Sequence, residues 1–269
     1  MSDNKEADGV EVRLDGAVLR IVLSREDARN ALSVDMIETM TDAVESAGND
    51  DDIRVIVISS SGNDFCSGAD LIAGNRGGTR RPRVGSLQRR LPTQAHRLIP
   101  ALLQTQTPVV CAVRGWCCGI GFHIAVASDF CVATDTARFW EPFVARGFTA
   151  DSGGSWLLPR LVGPVRSREL LILGRELSGG EAASWGLIHQ SVPEDLLEDT
   201  ITDLTERLAA GPTVAIGLTK WLMHSGSSLD VGRHLVNEAL ALELSSRTSD
   251  FREGLESFRD HRTPHFEGR

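Results

Sequence analysis

The stretch P-V-V-C-A-V-R-G-W-C-C-G-I-G-F-H-I-A-V-A-S-D, residues 108–129, decides how the chain is read. An apolar, β-rich run from Val109 to Val113 meets glycines at 115, 119 and 121, and a helix-compatible segment follows at once. That order predicts a strand, a tight turn and a helix start. Glycines let backbone approach a ligand closely, and the unpaired N–H groups of a first helical turn present partial positive charge to an oxygen. The stretch therefore predicts an anion or oxyanion site made of backbone.

Working outward toward the N-terminus, Val10 to Leu14 and Val18 to Leu23 are short β-type runs joined by Asp15-Gly16, a hairpin signal. Ser33 can cap a helix in which Met36, Ile37, Met40 and Val44 recur at helical spacing, and Ile53 to Ser59 reads as a buried strand. That strand empties into S-S-G-N-D-F-C-S-G-A-D-L-I, where Gly68 turns the chain and Asp70 stands at the N-cap of a following helix. An oxyanion hole takes two N–H donors from different places, and this is the second turn of the right kind. Residues 74–90 hold four glycines and six arginines with no acid, which predicts a surface loop. Its charge suits a phosphorylated ligand or a merely solvated face. A helix is expected from about Leu91 to Gln104.

Beyond the central stretch, Phe130 to Ala133 is a further strand, and Asp151 reads as the cap of a helix running to Leu158. Ser178-Gly-Gly-Glu181 is a capping box, and Leu187 to Val192 follows. Amphipathic segments at about 194–210, 214–224 and 229–246 suggest packing on each other or on a second subunit, and a last helix is expected near 250–260.

Composition bounds the function classes. The chain has 269 residues, 41% hydrophobic and 24% charged, with net charge −9, which argues against nucleic acid as the main partner. No apolar run approaches the ~20 residues of a membrane helix, and the N-terminus has no apolar or Arg-rich targeting pattern, so a cytoplasmic setting is expected. The five cysteines lack a metal-ligand or disulfide spacing and read as reduced, buried thiols; no metal is expected.

The blocks S-R-E-D-A-R-N-A-L at 24–32, F-C-S-G-A-D-L at 65–71, A-V-R-G-W-C-C-G-I-G at 112–121, S-G-G-S-W-L-L-P-R-L-V-G at 152–163 and L-G-R-E-L-S-G-G-E-A-A-S-W-G-L-I at 173–188 resemble the crotonase (enoyl-CoA hydratase/isomerase) superfamily. The resemblance covers the chain from about residue 10 to its C-terminal helix. It implies an α/β fold, a spiral of β-β-α units over residues 1–195 with a helical oligomerisation region at 196–269, and a homotrimer or a hexamer formed as a dimer of trimers. The implied substrate is an acyl-CoA thioester, with coenzyme A as part of it and no other cofactor. The implied donors to the thioester oxygen are the N–H groups of Ala69 and Ile120. Gly119, Asp70, Leu71, Ile72 and Phe143 would line the acyl-CoA cleft, with Arg25, Arg29, Ala31 and Leu32 near the CoA chain.

The chain departs from the hydratases of that family, which use two glutamates where it has His123 and Phe143. Adding water needs paired acid/base groups, and phenylalanine holds no water. Asp151 matches instead the catalytic aspartate of some isomerases of the family. A carboxylate in an apolar surround is pushed upward in pKa and can shuttle a proton between carbons. His123 is read either as a second acid/base group or as a satisfied buried histidine, Asp151 either as that shuttle or as a plain cap, and Glu141 as a surface or packing-edge acid. The leading expectation is an isomerase working through a thioester enolate. The alternatives are a hydratase with a non-standard acid/base set and an acyl-CoA-binding protein with little catalysis. A Ser hydrolase and an NAD enzyme are disfavoured, because no G-x-S-x-G elbow exists and Gly119-x-Gly121 is only part of a dinucleotide fingerprint.

Overall fold

The computed structural model describes residues 5–7, 9–70 and 83–269. Ten strands are present among them: β1 (Lys5–Ala7), β2 (Val10–Asp15), β3 (Val18–Leu23), β4 (Val55–Ser60), β5 (Val109–Val113), β6 (Trp116–Cys118), β7 (Phe130–Thr134), β8 (Arg138–Trp140), β9 (Leu177–Ser178) and β10 (Gln190–Val192). Seven form one sheet in the order β1-β2-β3-β4-β5-β7-β10, and β6-β8-β9 form a second. The β2–β3 hairpin is antiparallel with Asp15 opposite Val18, as the Asp-Gly pair predicts, whereas β3, β4, β5, β7 and β10 run parallel.

Parallel strands are buried on both faces, which explains why they read as unbroken apolar runs. Along β4, Ile56 and Ile58 face one core while Val55 and Val57 face another. The first core is closed by the helices Val34–Ala47, Leu98–Gln104 and Ile120–Ala127. The second lies under Leu197, Ile201 and Leu204 of the helix Leu197–Ala209, so the first of the C-terminal helices packs back onto the sheet. After it come Thr213–Gly226, Val231–Ser245 and Ser249–Arg259. The Val231–Ser245 helix leaves Val231, Leu235, Val236, Leu240, Leu242 and Leu244 exposed. Among the described residues no helix is long and apolar enough to cross a membrane.

Local signals hold in most places. The Ser33 hydroxyl accepts from the Met36 N–H at 3.2 Å, and Ser178 and Glu181 complete the expected capping box. Three expectations need correction. The helix expected from Leu91 is broken into 3₁₀ turns at Leu91–Thr93 and Ala95–Arg97 before Leu98–Gln104, because Gln94 leaves the helical region (φ −126°, ψ −109°). Pro92 and Pro100 fit because each falls in a first turn, where an N–H has no partner anyway. Within the expected arginine loop, Ser86–Arg90 is helical. Residues 74–82 of that loop, the positions of Leu71 and Ile72, and the helix that Asp70 was expected to cap lie outside the described residues.

The third correction concerns Asp151. The helix it was expected to cap starts at Gly154, and its N-cap is Gly153 at φ 93°, with no side-chain cap bond. Ser152 is also left-handed, at φ 48°. Asp151 contributes its carbonyl, which accepts from the Gly154 N–H at 3.2 Å, and its carboxylate is free of the capping role. That helix continues to Leu171 with a bend at Gly163.

Glycine is required at a close approach beside the central turn. A Cβ at Gly121 would lie 2.5 Å from Cys66 Cβ, so the helix Ile120–Ala127 is pressed against the strand-like segment at 66. We expect Gly121→Ala to lower stability by about 1–3 kcal/mol through overpacking, despite alanine's better helix propensity. Urea unfolding followed by far-UV circular dichroism measures it; an unchanged midpoint contradicts the packing.

Candidate active site

Backbone pairing brings the two glycine turns together. The Cys66 N–H donates to the Trp116 carbonyl at 2.9 Å, and the Cys118 N–H donates to the Cys66 carbonyl at 2.8 Å. On the other side, the Leu32 N–H donates to the Gly68 carbonyl (2.8 Å) and the Asp70 N–H to the Leu32 carbonyl (2.9 Å). Those two bonds bracket Ala69, so its own N–H is turned away from Leu32. Ile120 opens the next helix, after Gly119 at φ 51°, ψ −122°. Among the described residues neither the Ala69 nor the Ile120 N–H donates a hydrogen bond to the protein. The turns are close, since a Cβ at Gly119 would lie 3.9 Å from Gly68 Cα.

The segment 25–32 is tied down beside them. Arg25 Nη1 donates to Asp70 Oδ2 at 2.7 Å and to the Ala31 carbonyl at 3.3 Å. Asn30, left-handed at φ 54°, accepts from the Arg25 N–H at 2.8 Å and donates to the Ser61 and Asp64 carbonyls. Arg29 is exposed and approaches Asp64 at 3.7 Å. Leu32 puts its side chain into the core and its backbone into the bridge to Ala69.

Behind Gly119 lies a feature that sequence reasoning missed. Glu141, read as a surface or packing-edge acid, is 1% exposed, and its Oε1 sits 2.7 Å from Nε2 of His123, itself fully buried. Strand pairing explains this. Cys118 lies opposite Trp140, and the Gly119 N–H donates to the Trp140 carbonyl at 3.0 Å, so the next residue, Glu141, falls beside the helix that carries His123. Phe143 stacks on the imidazole at 6.0 Å and 7°, and Phe148 meets Phe143 edge-on at 5.4 Å. Phe143 also borders the central turn, 3.5 Å from where a Gly119 Cβ would stand. Burial pushes the Glu141 carboxyl above its ordinary range, His123 opposes that shift, and the charge of Asp151 adds to it.

Asp151 is half-buried and forms no ion pair among the described residues. The two residues after it, Ser152 and Gly153, line an open cavity of about 720 Å³ together with Ile99, Leu103, Trp156 and Trp221. Trp221 is positioned by its neighbour Lys220, whose Nζ lies 2.7 Å from Asp129 Oδ2 and 3.2 Å from the Thr107 carbonyl. Asp129 also accepts from the Val109 N–H, so one carboxylate pins the helix Thr213–Gly226 to the start of the central strand. Burial lowers the Lys220 pKa and Asp129 opposes that.

The five cysteines are free and buried, as expected, and burial pushes the Cys66 and Cys118 thiols up to about 12. Among the described residues no group of three or more His, Cys, Asp or Glu is placed to hold a metal.

The raised Glu141 pKa has a sign in stability. A carboxyl whose folded pKa lies above its unfolded value contributes stability that is present below about pH 4.3 and lost as pH rises through the folded pKa. Glu141→Gln, which keeps a hydrogen-bond acceptor for His123, is therefore expected to gain stability relative to the wild type as pH rises from about 4.5. Urea midpoints of both proteins between pH 4 and 8 check this; a difference independent of pH contradicts it.

Comparison with known proteins agrees with the architecture and the motifs. The sequence model of the family "Enoyl-CoA hydratase/isomerase" matches residues 13–269. The chain is 33% identical over 253 residues to a 1,2-epoxyphenylacetyl-CoA isomerase of Escherichia coli (strain K12), covering 94% of this chain and 95% of that protein. It is 32% identical to a crotonyl-CoA hydratase of Syntrophomonas wolfei, covering 91% and 93%. The crystal structure of an enoyl-CoA hydratase from Bacillus anthracis superposes with a TM-score of 0.89 at 29% identity, over 97% of this chain and 100% of that one. The chain belongs to the enoyl-CoA hydratase/isomerase family, with the crotonase fold, and is an enzyme of that type.

Proposed function

We propose that the protein is an acyl-CoA isomerase that moves a double bond through a thioester enolate. Removing a proton next to a thioester places negative charge on its oxygen, and the N–H groups of Ala69 and Ile120, which have no partner among the described residues, are the donors we assign to it. Preorganised donors of this kind are worth roughly 3–4 kcal/mol each in comparable sites. Asp151 takes the proton from one carbon and returns it to another, so atoms and charge balance with no water consumed.

The observation that carries this reading is the state of the nearby carboxylates. Glu141 is sealed against His123, and Asp70 is bonded to Arg25, whereas Asp151 is half-buried, adjacent to the cavity and without an ion pair among the described residues. Hydration needs two groups to hold and split a water, and Phe143 supplies neither an acceptor nor a donor. We assign proton return to Asp151 rather than to His123, because the imidazole is fully buried and covered by Phe143. The apolar cavity beside Ser152, with Trp156 and Trp221, suits a bulky or ring-bearing acyl end, in keeping with the relative named an epoxyphenylacetyl-CoA isomerase. Coenzyme A enters as part of the substrate, and the exposed apolar face of Val231–Ser245 supports packing against a further subunit; the assembly we propose is a trimer or a pair of trimers, in the cytoplasm.

A panel of enoyl-CoA thioesters incubated in deuterated water and read by mass spectrometry tests the reading. Wild type is expected to incorporate deuterium or shift the double bond, and Asp151→Asn to lose about 10²–10⁴-fold of that rate. A mass gain of one water identifies a hydratase instead. Tight thioester binding without exchange identifies a binding protein.

A further inference from the structure

We infer that His123 and Glu141 act together as a positioning pair that seats the turn carrying Asp151. The inference rests on the role given to Asp151 above and goes beyond it, since neither residue of the pair touches the substrate. The first observation is contact. A Cβ on Gly154 would lie 2.3 Å from His123 Nε2 and 2.8 Å from its Cε1, so the imidazole is packed against the backbone where the helix Gly154–Leu171 begins. The second is closure: the Gly154 N–H donates to the Asp151 carbonyl, which makes 151–154 a single closed turn lying on that ring. The third is conformation. Ser152 and Gly153 are both left-handed, an arrangement that a serine does not hold unless its surroundings enforce it.

Glu141 holds the imidazole at that same edge through the 2.7 Å contact with Nε2, and Phe143 covers its face. Both members are buried, and among the described residues His123 Nδ1 and Glu141 Oε2 have no hydrogen-bond partner. A buried pair with orphaned atoms is least costly when its charges sum to zero. A pair of zero net charge perturbs the Asp151 carboxylate less than a lone Glu141 carboxylate, which feels the charge of Asp151, would. The other titratable groups that feel Glu141 are the thiols of Cys117 and Cys118, which burial keeps protonated.

Two substitutions and two readouts test this. Glu141→Gln keeps the shape, the acceptor for Nε2 and the zero charge, so it is expected to retain thioester deuterium incorporation within about threefold and to leave its pH profile in place, whereas Glu141→Leu is expected to lower kcat at least tenfold with KM within twofold. Backbone amide exchange of residues 152–157, measured without substrate, is expected to match wild type in Glu141→Gln and to accelerate at least tenfold in Glu141→Leu. The pair's positioning role is overturned if Glu141→Gln loses activity as completely as Asp151→Asn or shifts a limb of the pH profile, because Glu141 is then itself an acid/base group. It is equally overturned if Glu141→Leu leaves both kcat and the amide exchange of 152–157 unchanged. Absence of deuterium incorporation by the wild type with every thioester refutes the isomerase reading alone, and the amide exchange still decides whether the pair seats the turn.

Discussion

The structure depends on one backbone arrangement: the short parallel pairing in which Cys66 takes a hydrogen bond from the Cys118 N–H and gives one to the Trp116 carbonyl. It locks two glycine turns that are some fifty residues apart in sequence into one place. Gly68 and Gly119 adopt backbone conformations that L side chains avoid, and each turn leaves one N–H without a partner among the described residues. The parallel sheet behind them is buried on both faces, and the bonds between Leu32 and residues 68 and 70 hold the first turn from the side, so core packing and backbone pairing together place the donors. Donors fixed in advance need no reorganisation when charge appears on a bound oxygen, which is the physical basis of their value in catalysis.

The same three-stranded sheet that continues from Trp116 places Glu141 under the central helix. Two ionisable groups removed from water are costly unless they satisfy each other, and the 2.7 Å contact between His123 and Glu141 does so only in part. A hydrophobic pair of similar volume would fill the space at lower cost. The contact with Gly154 gives the polar pair a use, because it fixes the start of the helix that follows Asp151. The seating of the turn at Asp151 thus traces back to strand register: Cys118 opposite Trp140, then Glu141, His123 and Gly154 in successive contact.

Much of this was legible in the sequence. The run Val109 to Gly121 declares its strand, turn and helix through composition alone, and Asp15-Gly16, Ser33 and Ser178 act locally, so their roles survive in the fold. What escaped was set by distant contacts. Glu141 carries a charge and stands just past a strand end, which reads as surface; only the register between β6 and β8 reveals that it is buried. Asp151 resembles a cap, but two left-handed residues after it move the helix start to Gly154. The segment 91–104 has helical periodicity, and Gln94 breaks it through backbone geometry that periodicity does not encode. Gly154 drew notice only as part of a motif block, yet it is the residue on which the imidazole rests.

The central claim is that one oxygen is held by the N–H groups of Ala69 and Ile120 with Asp151 facing the neighbouring carbons. A crystal structure with a non-reactive acyl-CoA thioester analogue measures it directly. The account predicts the thioester oxygen at about 2.7–3.1 Å from both nitrogens, with the Asp151 carboxylate against the acyl chain. A thioester oxygen bound away from either nitrogen, or an acyl chain directed away from Asp151, would contradict it.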